Sequence, residues 1–414
     1  MVSVCLYFQL HQPKRLGQYH VFDINTNHNY FDAERNEEIC TDVVNKCYLP
    51  ANRRLLKLIE ETGKKFKVAF SVSGVLLEQL ESYAPEVIES FQELAKTGCV
   101  EFLAETYYHS LSYIYSREEF MEQLKLHEKK IEELFGQKPT VFRNTELIMN
   151  NEMAAFIENK GYKGVLAEGA DHLLGWRSPN FIYKTVCNQN MGVLLRNYKL
   201  SDDVAFRFSN KEWKEYPLTA EKYAKWIDNI NNNGEIVNIF MDYETFGEHH
   251  CERSGILDFL ASFPKYVIEE GNQFMTPSEM FENLSPRGEV DMHEFVSWAD
   301  AERDLSAWMS NPMQNNSLQE LYGMEEAIKE SKDEKILQDW RYLTTSDHFY
   351  YMSTKWFSDG VIHSHFNPHG SPYEAFVVYM NVLNDLILRL GHGGAKIKIS
   401  EKPSKNVMKK RQKQ

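Results

Sequence analysis

Short apolar runs that alternate with helical patterns are the feature of this sequence that most restricts its fold. The runs lie at residues 4–10, 66–72, 99–104, 140–144, 164–167 and 236–241, and helical periodicity lies at 52–61, 85–96, 118–135, 151–159 and 257–269. A strand that is buried on both faces reads as a continuous apolar run, since neither face has to be polar. The alternation therefore predicts a parallel sheet that is covered by helices.

Open and closed parallel sheets both fit this pattern, but the first run is not followed by a glycine-rich turn, which disfavours a dinucleotide-binding fold. After about Pro286 the pattern changes to long amphipathic stretches at 317–331, 335–357 and 372–390. We therefore predict an α/β catalytic domain at 1–285, a helical domain at 286–400 that contributes to a substrate cleft, and a basic, disordered tail at 401–414.

Charge and cysteine content restrict the partners and the location. The net charge of -14 disfavours nucleic acid, because phosphate binding requires a basic surface. Residues 1–10 lack the basic start and cleavage site of a signal peptide, and no apolar run approaches the ~20 residues of a membrane-spanning helix. The cysteines are scattered without paired spacing, which predicts reduced thiols and a cytoplasmic protein. The sequence makes no prediction of oligomeric state.

Polar side chains with catalytic potential follow four of the apolar runs, in FQLHQP, VEFLAETYYH, VFRNTE and IVNIFMDYETFGEHH. In a parallel barrel, catalytic residues collect at the carboxyl ends of the strands. Glu146 lies in the third segment, and Asp242 and Glu244 alternate in the fourth, so that these two share one face of a strand. Glycoside hydrolysis requires two carboxyl groups that flank one bond.

These candidates also have structural interpretations. Glu146 precedes a helix, whose N-terminus favours a carboxylate, whereas Asp242 and Glu244 equally suit a hydrogen-bonded pair that holds loops. Trp298 suits either helix packing or stacking on a sugar ring. A metal site is compatible with a group of histidines, although the sequence has no HExxH motif: His11, His109, His249 and His250.

Five segments, in this order, resemble glycoside hydrolase family 57: LHQP at 10–13, VEFLAETYYHSL at 100–111, VFRNTELI at 141–148, MDYETFGEHH at 241–250 and VSWADAERDLSAW at 296–308. The family comprises α-amylases, 4-α-glucanotransferases and branching enzymes. The resemblance implies an incomplete, TIM-like (β/α)7 barrel with a C-terminal helical domain. It also implies an α-glucan substrate.

By this resemblance, Glu146 matches the nucleophile and Asp242 the general acid/base of a retaining double displacement. The segment TTSDHFYYM at 344–352 resembles a helix that leans over the barrel mouth, and its candidates equally suit helix packing. We expect no metal and no cofactor. The predicted substrate-binding residues are His11, Glu101, His109, Arg143, Glu244, His249, Trp298, Asp347 and Tyr350.

The chain departs from the family at three positions. Gln9 stands where some members have histidine, and Arg143 and His249 stand where glucanotransferases have tryptophan. Fewer aromatic platforms near the cleaved bond disfavour transfer to a sugar acceptor. We therefore predict an α-amylase-type retaining hydrolase of α-1,4 bonds in starch, glycogen or maltooligosaccharides. The alternatives are a 4-α-glucanotransferase or branching enzyme, a metal-dependent carbohydrate deacetylase, and a glucan-binding protein without catalysis.

Overall fold

The structure is a computed structural model that describes residues 1–355, 363 and 367–392. Its strands are β1 (Ser3–Leu10), β2 (Val68–Val72), β3 (Val100–Phe102), β4 (Val141–Arg143), β5 (Gly164–Glu168), β6 (Lys184–Thr185), β7 (Gly192–Arg196), β8 (Ile236–Asp242), β9 (Gln273–Phe274) and β10 (Glu289–Val290).

Parallel pairing joins the strands into two main sheets. The larger has the order β3-β2-β1-β8, with β9 also paired to β1, and the smaller has the order β4-β5-β7. A parallel bridge between Ala104 and Phe142 links the β3 and β4 edges. The amide of Asn197, just after β7, donates to the carbonyl of Asn238 in β8 at 2.8 Å. The two sheets are therefore hydrogen-bonded to each other at both edges.

Strand β1 is buried on both faces, which explains its continuous apolar sequence. The even-numbered residues from 4 to 10 pack in the core that includes the surrounding helices. Cys5 and Tyr7 point to the opposite side, into a second core shared with β2, β4, β5, β7 and β8. Gln9 shares the face of Cys5 and Tyr7, and its amide is thereby directed towards the polar residues at the ends of the neighbouring strands.

Two compact units are formed by the chain. The first contains Met1–Lys14 and Ala33–Ala307, and the second contains Arg15–Asp32 and Trp308–Gln414. The main helices of the first unit are Ala33–Val43, Leu49–Glu61, Gly74–Tyr83, Pro85–Lys96, Arg117–Phe135, Asn151–Glu158, Tyr198–Ala205, Ala220–Asp228, Ile256–Glu269 and Pro277–Asn283. Those of the second unit are Pro312–Gly323, Glu325–Ser331, Glu334–Leu343, Ser346–Tyr350 and Pro372–His392.

The α/β class and the parallel pairing predicted from the sequence are confirmed. Each predicted strand and helix of residues 1–285 is present, with its ends shifted by three residues or fewer. Strands β6, β7, β9 and β10 were not predicted, because runs of two to five residues are too short to distinguish a buried strand from a loop. Five of the main helices of the first unit were not predicted either: Ala33–Val43, Gly74–Tyr83, Tyr198–Ala205, Ala220–Asp228 and Pro277–Asn283. The predicted tail at 401–414 and the end of the predicted helix at 335–357 lie outside the described residues.

The boundary between the two units differs from the predicted one at 285/286. Residues 286–307 belong to the first unit because β10 pairs with β6 and Val296 pairs with Met149. Arg15–Asp32 belongs to the second unit although it follows β1. Among the residues that the structure describes, no helix has the length and apolar character needed to cross a bilayer.

Candidate active site

Glu146 lies in a single 3-10 turn, Thr145–Leu147, that follows β4. Glu146 and Leu147 adopt left-handed backbone conformations, with φ angles of 57° and 54°, which are uncommon for residues other than glycine and concentrate at functional sites. Oε1 of Glu146 lies 3.1 Å from Nε2 of His109, and Oε2 accepts a hydrogen bond of 2.7 Å from Nε1 of Trp298. The Glu146 side chain is 24% exposed, so a substrate can reach it.

His109 bridges two carboxylates. Its Nδ1 lies 3.1 Å from Oε2 of Glu105, and its Nε2 faces Glu146. A histidine donates at both ring nitrogens only when it is protonated. Burial opposes the charge, but the hydrogen bonds and negative charges of Glu105 and Glu146 raise the pKa of His109 to about 9. His109 is therefore an imidazolium at neutral pH, and the ring of His11 stacks on it with centroids 4.1 Å apart.

The surroundings of Glu146 favour its ionised form. Burial alone would raise the pKa of Glu146, but the hydrogen bond from His109 and the charges of His109 and Arg143 outweigh burial. The pKa of Glu146 consequently lies below its ordinary value. An ionised carboxylate that is held at both oxygens suits a nucleophile.

Asp242, the last residue of β8, has the opposite environment. Among the described residues, no hydrogen bond to its carboxyl group is found. Burial and the negative charge of Glu146 raise the pKa of Asp242 to about 6, although Arg143, His109 and Arg196 act in the other direction. Below about pH 6, Asp242 keeps its proton while Glu146 stays ionised, and this is the arrangement that acid-assisted bond cleavage uses.

Glu244 is buried beside Asp242. Its Oε1 accepts hydrogen bonds from the hydroxyl group of Tyr48 and, at 3.4 Å, from Nε2 of Gln12. Burial and the charge of Asp242 raise the pKa of Glu244 to about 8. Glu244 therefore keeps its proton at neutral pH. Its 5% exposure places it behind the accessible part of the site.

Arg143 is fully buried at the end of β4. Its Cζ lies 4.9 Å from the ring centroid of Trp298, and its Nη1 lies 3.9 Å from Oε2 of Glu105. Among the described residues, none of its three side-chain nitrogens has a hydrogen-bond partner. The sequence analysis predicted that Arg143 binds substrate. In the structure its guanidinium has no exposed surface and is a buried cation beside Glu105 and Glu146.

Glu101 does not join this group. It lies inside β3, before the polar end of the strand, and its Oε2 accepts a hydrogen bond of 2.9 Å from the amide of Ser278. Burial and the negative charge of Glu101 raise the pKa of the Cys5 thiol. The predicted contact of Glu101 with substrate is therefore not supported by its position, because the side chain binds the start of helix Pro277–Asn283 instead.

The two histidines of GEHH separate. His249 is exposed, and its amide donates to the carbonyl of Glu244 at 2.8 Å in the turn after β8. His250 is buried, and its Nε2 lies 3.0 Å from the carbonyl oxygens of both Val204 and Ala205. Among the described residues, no group of three or more histidine, cysteine or acidic side chains is arranged to hold a metal ion.

Asp347 and Tyr350 lie in the second unit, in helix Ser346–Tyr350. The ring of Tyr350 stacks on the ring of His363, with centroids 3.8 Å apart. The ring centroid of Trp308 lies 6.4 Å from that of Tyr350. These contacts agree with the helix-packing interpretation of Tyr350. The substrate-binding role of both residues stays a prediction.

Glu105 is the site residue that the sequence analysis did not select. Glu105 lies in VEFLAETYYH, the same segment as Glu101, and the resemblance selects Glu101 there. The available signal was its spacing: Glu105 follows the end of β3 and precedes His109 by four residues. That spacing alone does not reveal that His109 turns back towards it.

Comparisons with known proteins find relatives of this chain in sequence and in structure. The sequence model of glycosyl hydrolase family 57 matches residues 5–293. The chain is 44% identical over 395 residues to a putative alpha-amylase of Methanocaldococcus jannaschii, covering 91% of this chain and 82% of that protein.

Solved structures share the fold. A GH57-type branching enzyme from Pyrococcus horikoshii superposes with a TM-score of 0.67 at 15% identity, covering 97% of each chain. A 4-alpha-glucanotransferase from Thermococcus litoralis also superposes with a TM-score of 0.67, at 16% identity, covering 93% of this chain and 59% of that one.

Proposed function

Because the chain belongs to glycosyl hydrolase family 57, we propose that it is an α-amylase-type enzyme that hydrolyses α-1,4-glucosidic bonds with retention of configuration. The observation that carries the proposal is the contrast between two partly buried carboxyl groups. Glu146 has a lowered pKa and two hydrogen-bond donors, whereas the pKa of Asp242 is raised to about 6. The substrate is a neutral glucan of starch, glycogen or maltooligosaccharide type.

The proposed reaction is a double displacement. Glu146 attacks the anomeric carbon while Asp242 gives its proton to the oxygen of the departing sugar, which leaves a covalent glycosyl ester on Glu146. The ionised Asp242 then takes a proton from water, and the water oxygen attacks the same carbon and releases Glu146. Two inversions at one carbon give net retention. Proton NMR of the first-formed product tests this, and a β-anomer would contradict it.

The assignment of Glu146 is tested by Glu146→Gln. We expect activity on maltooligosaccharides to fall below about 10⁻³ of the wild-type value, because the amide cannot form the ester. Glucan binding, followed by calorimetry, should remain. Asp258→Asn, at an exposed position of helix Ile256–Glu269, is the matched control and should leave activity unchanged. Near-normal turnover by Glu146→Gln would refute the assignment.

Hydrolysis is distinguished from transfer by the products from maltopentaose. A hydrolase gives shorter sugars and one new reducing end for each bond that is cleaved. A 4-α-glucanotransferase or branching enzyme instead gives longer or branched products with little gain in reducing ends. The distribution by mass spectrometry, measured together with reducing ends, decides between these activities. Binding without any product would support a glucan-binding protein.

We also propose that seven strands close a (β/α)7 barrel. The hydrogen bonds between the β3 and β4 edges and between the β7 and β8 edges support this interpretation, since they join both ends of the two main sheets. The order around the barrel is then β1-β2-β3-β4-β5-β7-β8.

We propose that the enzyme works in the reducing cytoplasm. Its six free cysteines are consistent with this proposal.

A further inference from the structure

Glu105 is a fully buried carboxylate that lies between two buried cations. Its Oε2 is 3.1 Å from Nδ1 of His109 and 3.9 Å from Nη1 of Arg143. Burial raises the pKa of Glu105, but the hydrogen bond and charge of His109 and the charge of Arg143 outweigh burial and lower it. A buried charge is costly unless an opposite charge compensates it. The three side chains therefore depend on one another.

Gln9 completes the surroundings of Glu105. The amide nitrogen of Gln9 lies 3.3 and 3.4 Å from the two carboxylate oxygens of Glu105. The amide is oriented by its own oxygen, which accepts hydrogen bonds from Tyr7 at 2.8 Å and from Ser71 at 2.6 Å. Gln9 and Arg143 are two of the positions at which the sequence departs from the family pattern. Gln9 supplies a hydrogen-bond donor to Glu105, and Arg143 supplies a positive charge beside it.

We propose that Glu105 is a positioning residue of the reaction: it compensates the charges of His109 and Arg143 and holds His109 as a charged donor to Glu146. Without Glu105, two buried cations would face each other beside the nucleophile, and His109 would lose the acceptor for its Nδ1 proton. A neutral His109 would hold Glu146 less strongly. The inference rests on the proposed function only in that it names Glu146 as the nucleophile.

The protonation of His109 depends on charged groups from several elements. Arg143 lies at the end of β4, and Asp242 lies at the end of β8. His11, after β1, contributes a stacked ring, and its Nδ1 lies 2.7 Å from Oγ of Ser73. Glu105 and Glu146 are the two acidic groups that contact His109 directly.

His127 provides an internal comparison. This buried histidine accepts a hydrogen bond of 3.3 Å at Nδ1 from the amide of Glu105 and lies 2.9 Å from the carbonyl of Val72 through Nε2. Burial lowers its pKa, so His127 is neutral where His109 is charged. Two buried histidines that flank the same residue thus differ in charge, because only His109 contacts the carboxylates.

In the reaction, a charged His109 acts on both steps. In the free enzyme it keeps Glu146 ionised and fixes one of its oxygens, so that the carboxylate is ready to attack. When Glu146 leaves the glycosyl ester, its negative charge returns, and the Nε2 proton of His109 is already aimed at it. Glu105 contacts neither the sugar nor the reacting atoms in this scheme and acts only through His109.

The charge of His109 is tested by ¹⁵N NMR of the imidazole rings in the unliganded full chain. At pH 7.5 we expect both ring nitrogens of His109 to be protonated and His127 to be neutral, with His109→Asn identifying the resonances. In Glu105→Gln, His109 should lose a proton between pH 5.5 and 7.5. A neutral His109 in the wild type at pH 7.5 would overturn the proposal, and this result is available even when the variant does not fold.

The kinetic test compares Glu105→Gln with the wild type on one maltooligosaccharide at pH 5.5 and 7.5. At pH 7.5 we expect kcat/KM to fall about 10- to 100-fold, mainly through kcat, as when the carboxylate partner of a metal-bound histidine is removed. At pH 5.5 the loss should be smaller, because His109 is protonated in both proteins. Glu119→Gln, at an equally buried carboxylate that accepts from Gln123, is the control.

A merely structural role of Glu105 predicts a loss that is the same at both pH values, and that result would contradict the proposal. The NMR experiment needs no substrate. A charged His109 in a protein that cleaves no glucan would therefore leave the inference intact and refute the proposed function. Glucan cleavage with a neutral His109 would do the reverse.

Discussion

At the scale of single residues, neighbouring donors and charges separate the roles of two chemically similar acids. Glu146 has His109 and Trp298 as hydrogen-bond partners, and these stabilise its carboxylate. Asp242 is partly buried and is affected by that negative charge, and its loss of solvation and this charge raise its pKa. The same two carboxyl groups in water would ionise almost together. Their different protonation follows from the protein around them.

The proposed acid role of Asp242 predicts a dependence on the leaving group. In Asp242→Asn, kcat/KM for maltooligosaccharides should fall by about 10²- to 10⁴-fold, the usual contribution of a general acid. Dinitrophenyl α-maltoside should lose much less in the bond-cleaving step, because its leaving group needs no proton. Pre-steady-state release of dinitrophenol measures that step. Equal losses on both substrates would count against Asp242 as the acid.

The pH profile should carry the signature of both carboxyl groups. Asp242 has to be protonated, so kcat/KM should fall as the pH rises through about 6. Glu146 has to be ionised, so the acid limb should lie below the ordinary pKa of a glutamate. Arg143 lowers the pKa of both groups, and Arg143→Met should therefore move both limbs to higher pH. If neither limb of the pH profile moves in Arg143→Met, Arg143 does not lower the pKa values of Glu146 and Asp242.

At the scale of elements, a loop after β10 fixes one partner of Glu146. Val296 pairs with Met149, and the amide of Trp298 donates to the carbonyl of Glu146 at 3.1 Å. The amide of Ser297 donates to the carbonyl of Arg303 at 3.0 Å. Arg303 also forms an ion pair with Glu168, which lies more than a hundred residues earlier in the chain, with Nη1 2.9 Å from Oε2. The loop is thus attached to the strand ends at both of its sides.

Loosening this loop should reduce the rate without abolishing binding. Arg303→Lys keeps the charge but loses the planar fork that reaches Glu168 and Asp202. We expect kcat to fall about 10- to 100-fold, as for small displacements of catalytic groups, and the indole N–H of Trp298 to exchange faster with solvent. Arg207→Lys, at a partly exposed ion pair with Asp203, serves as the control. Unchanged exchange at Trp298 would contradict the role of the loop.

At the level of the complete chain, each of the two compact units is built from two separate stretches of sequence. Arg15–Asp32 leaves the first unit after β1 and joins the helices near the C-terminal end of the described chain. Its attachment is the buried carboxylate of Asp385, which accepts hydrogen bonds from the amide of Asn25 at 2.5 Å and from the Tyr30 hydroxyl, and lies 2.7 Å from Nδ1 of His28.

Asp385→Asn tests this attachment. The amide replaces one acceptor oxygen by a donor, so it cannot satisfy all of the donors that converge there. We expect the local opening free energy of residues 19–30 to fall by about 1–3 kcal/mol. Hydrogen exchange by mass spectrometry measures this loss, and exchange in β1 and β8 should not change. Unaltered protection at 19–30 would show that Asp385 does not hold the segment.

Much of the fold was predictable because its signals are local. A buried parallel strand and an amphipathic helix are each specified by about ten neighbouring residues, and the predicted strands of 1–285 are present at their expected places. Residues that the resemblance selected, such as Glu146, Trp298 and His11, do converge with His109 around one turn. Short elements such as β7 escaped because a five-residue run is compatible with several conformations.

The alternation of strands and helices, the family and the acidic residues available for a catalytic pair could all be predicted from the amino-acid sequence. Three features became visible only in the folded chain: Glu105 rather than Glu101 faces His109, Arg143 is fully buried, and Arg15–Asp32 packs with helices distant in sequence. The physical reason is that periodicity is encoded by neighbours along the chain. Charge, burial and hydrogen bonding depend instead on strand register and loop paths that bring together residues far apart in sequence.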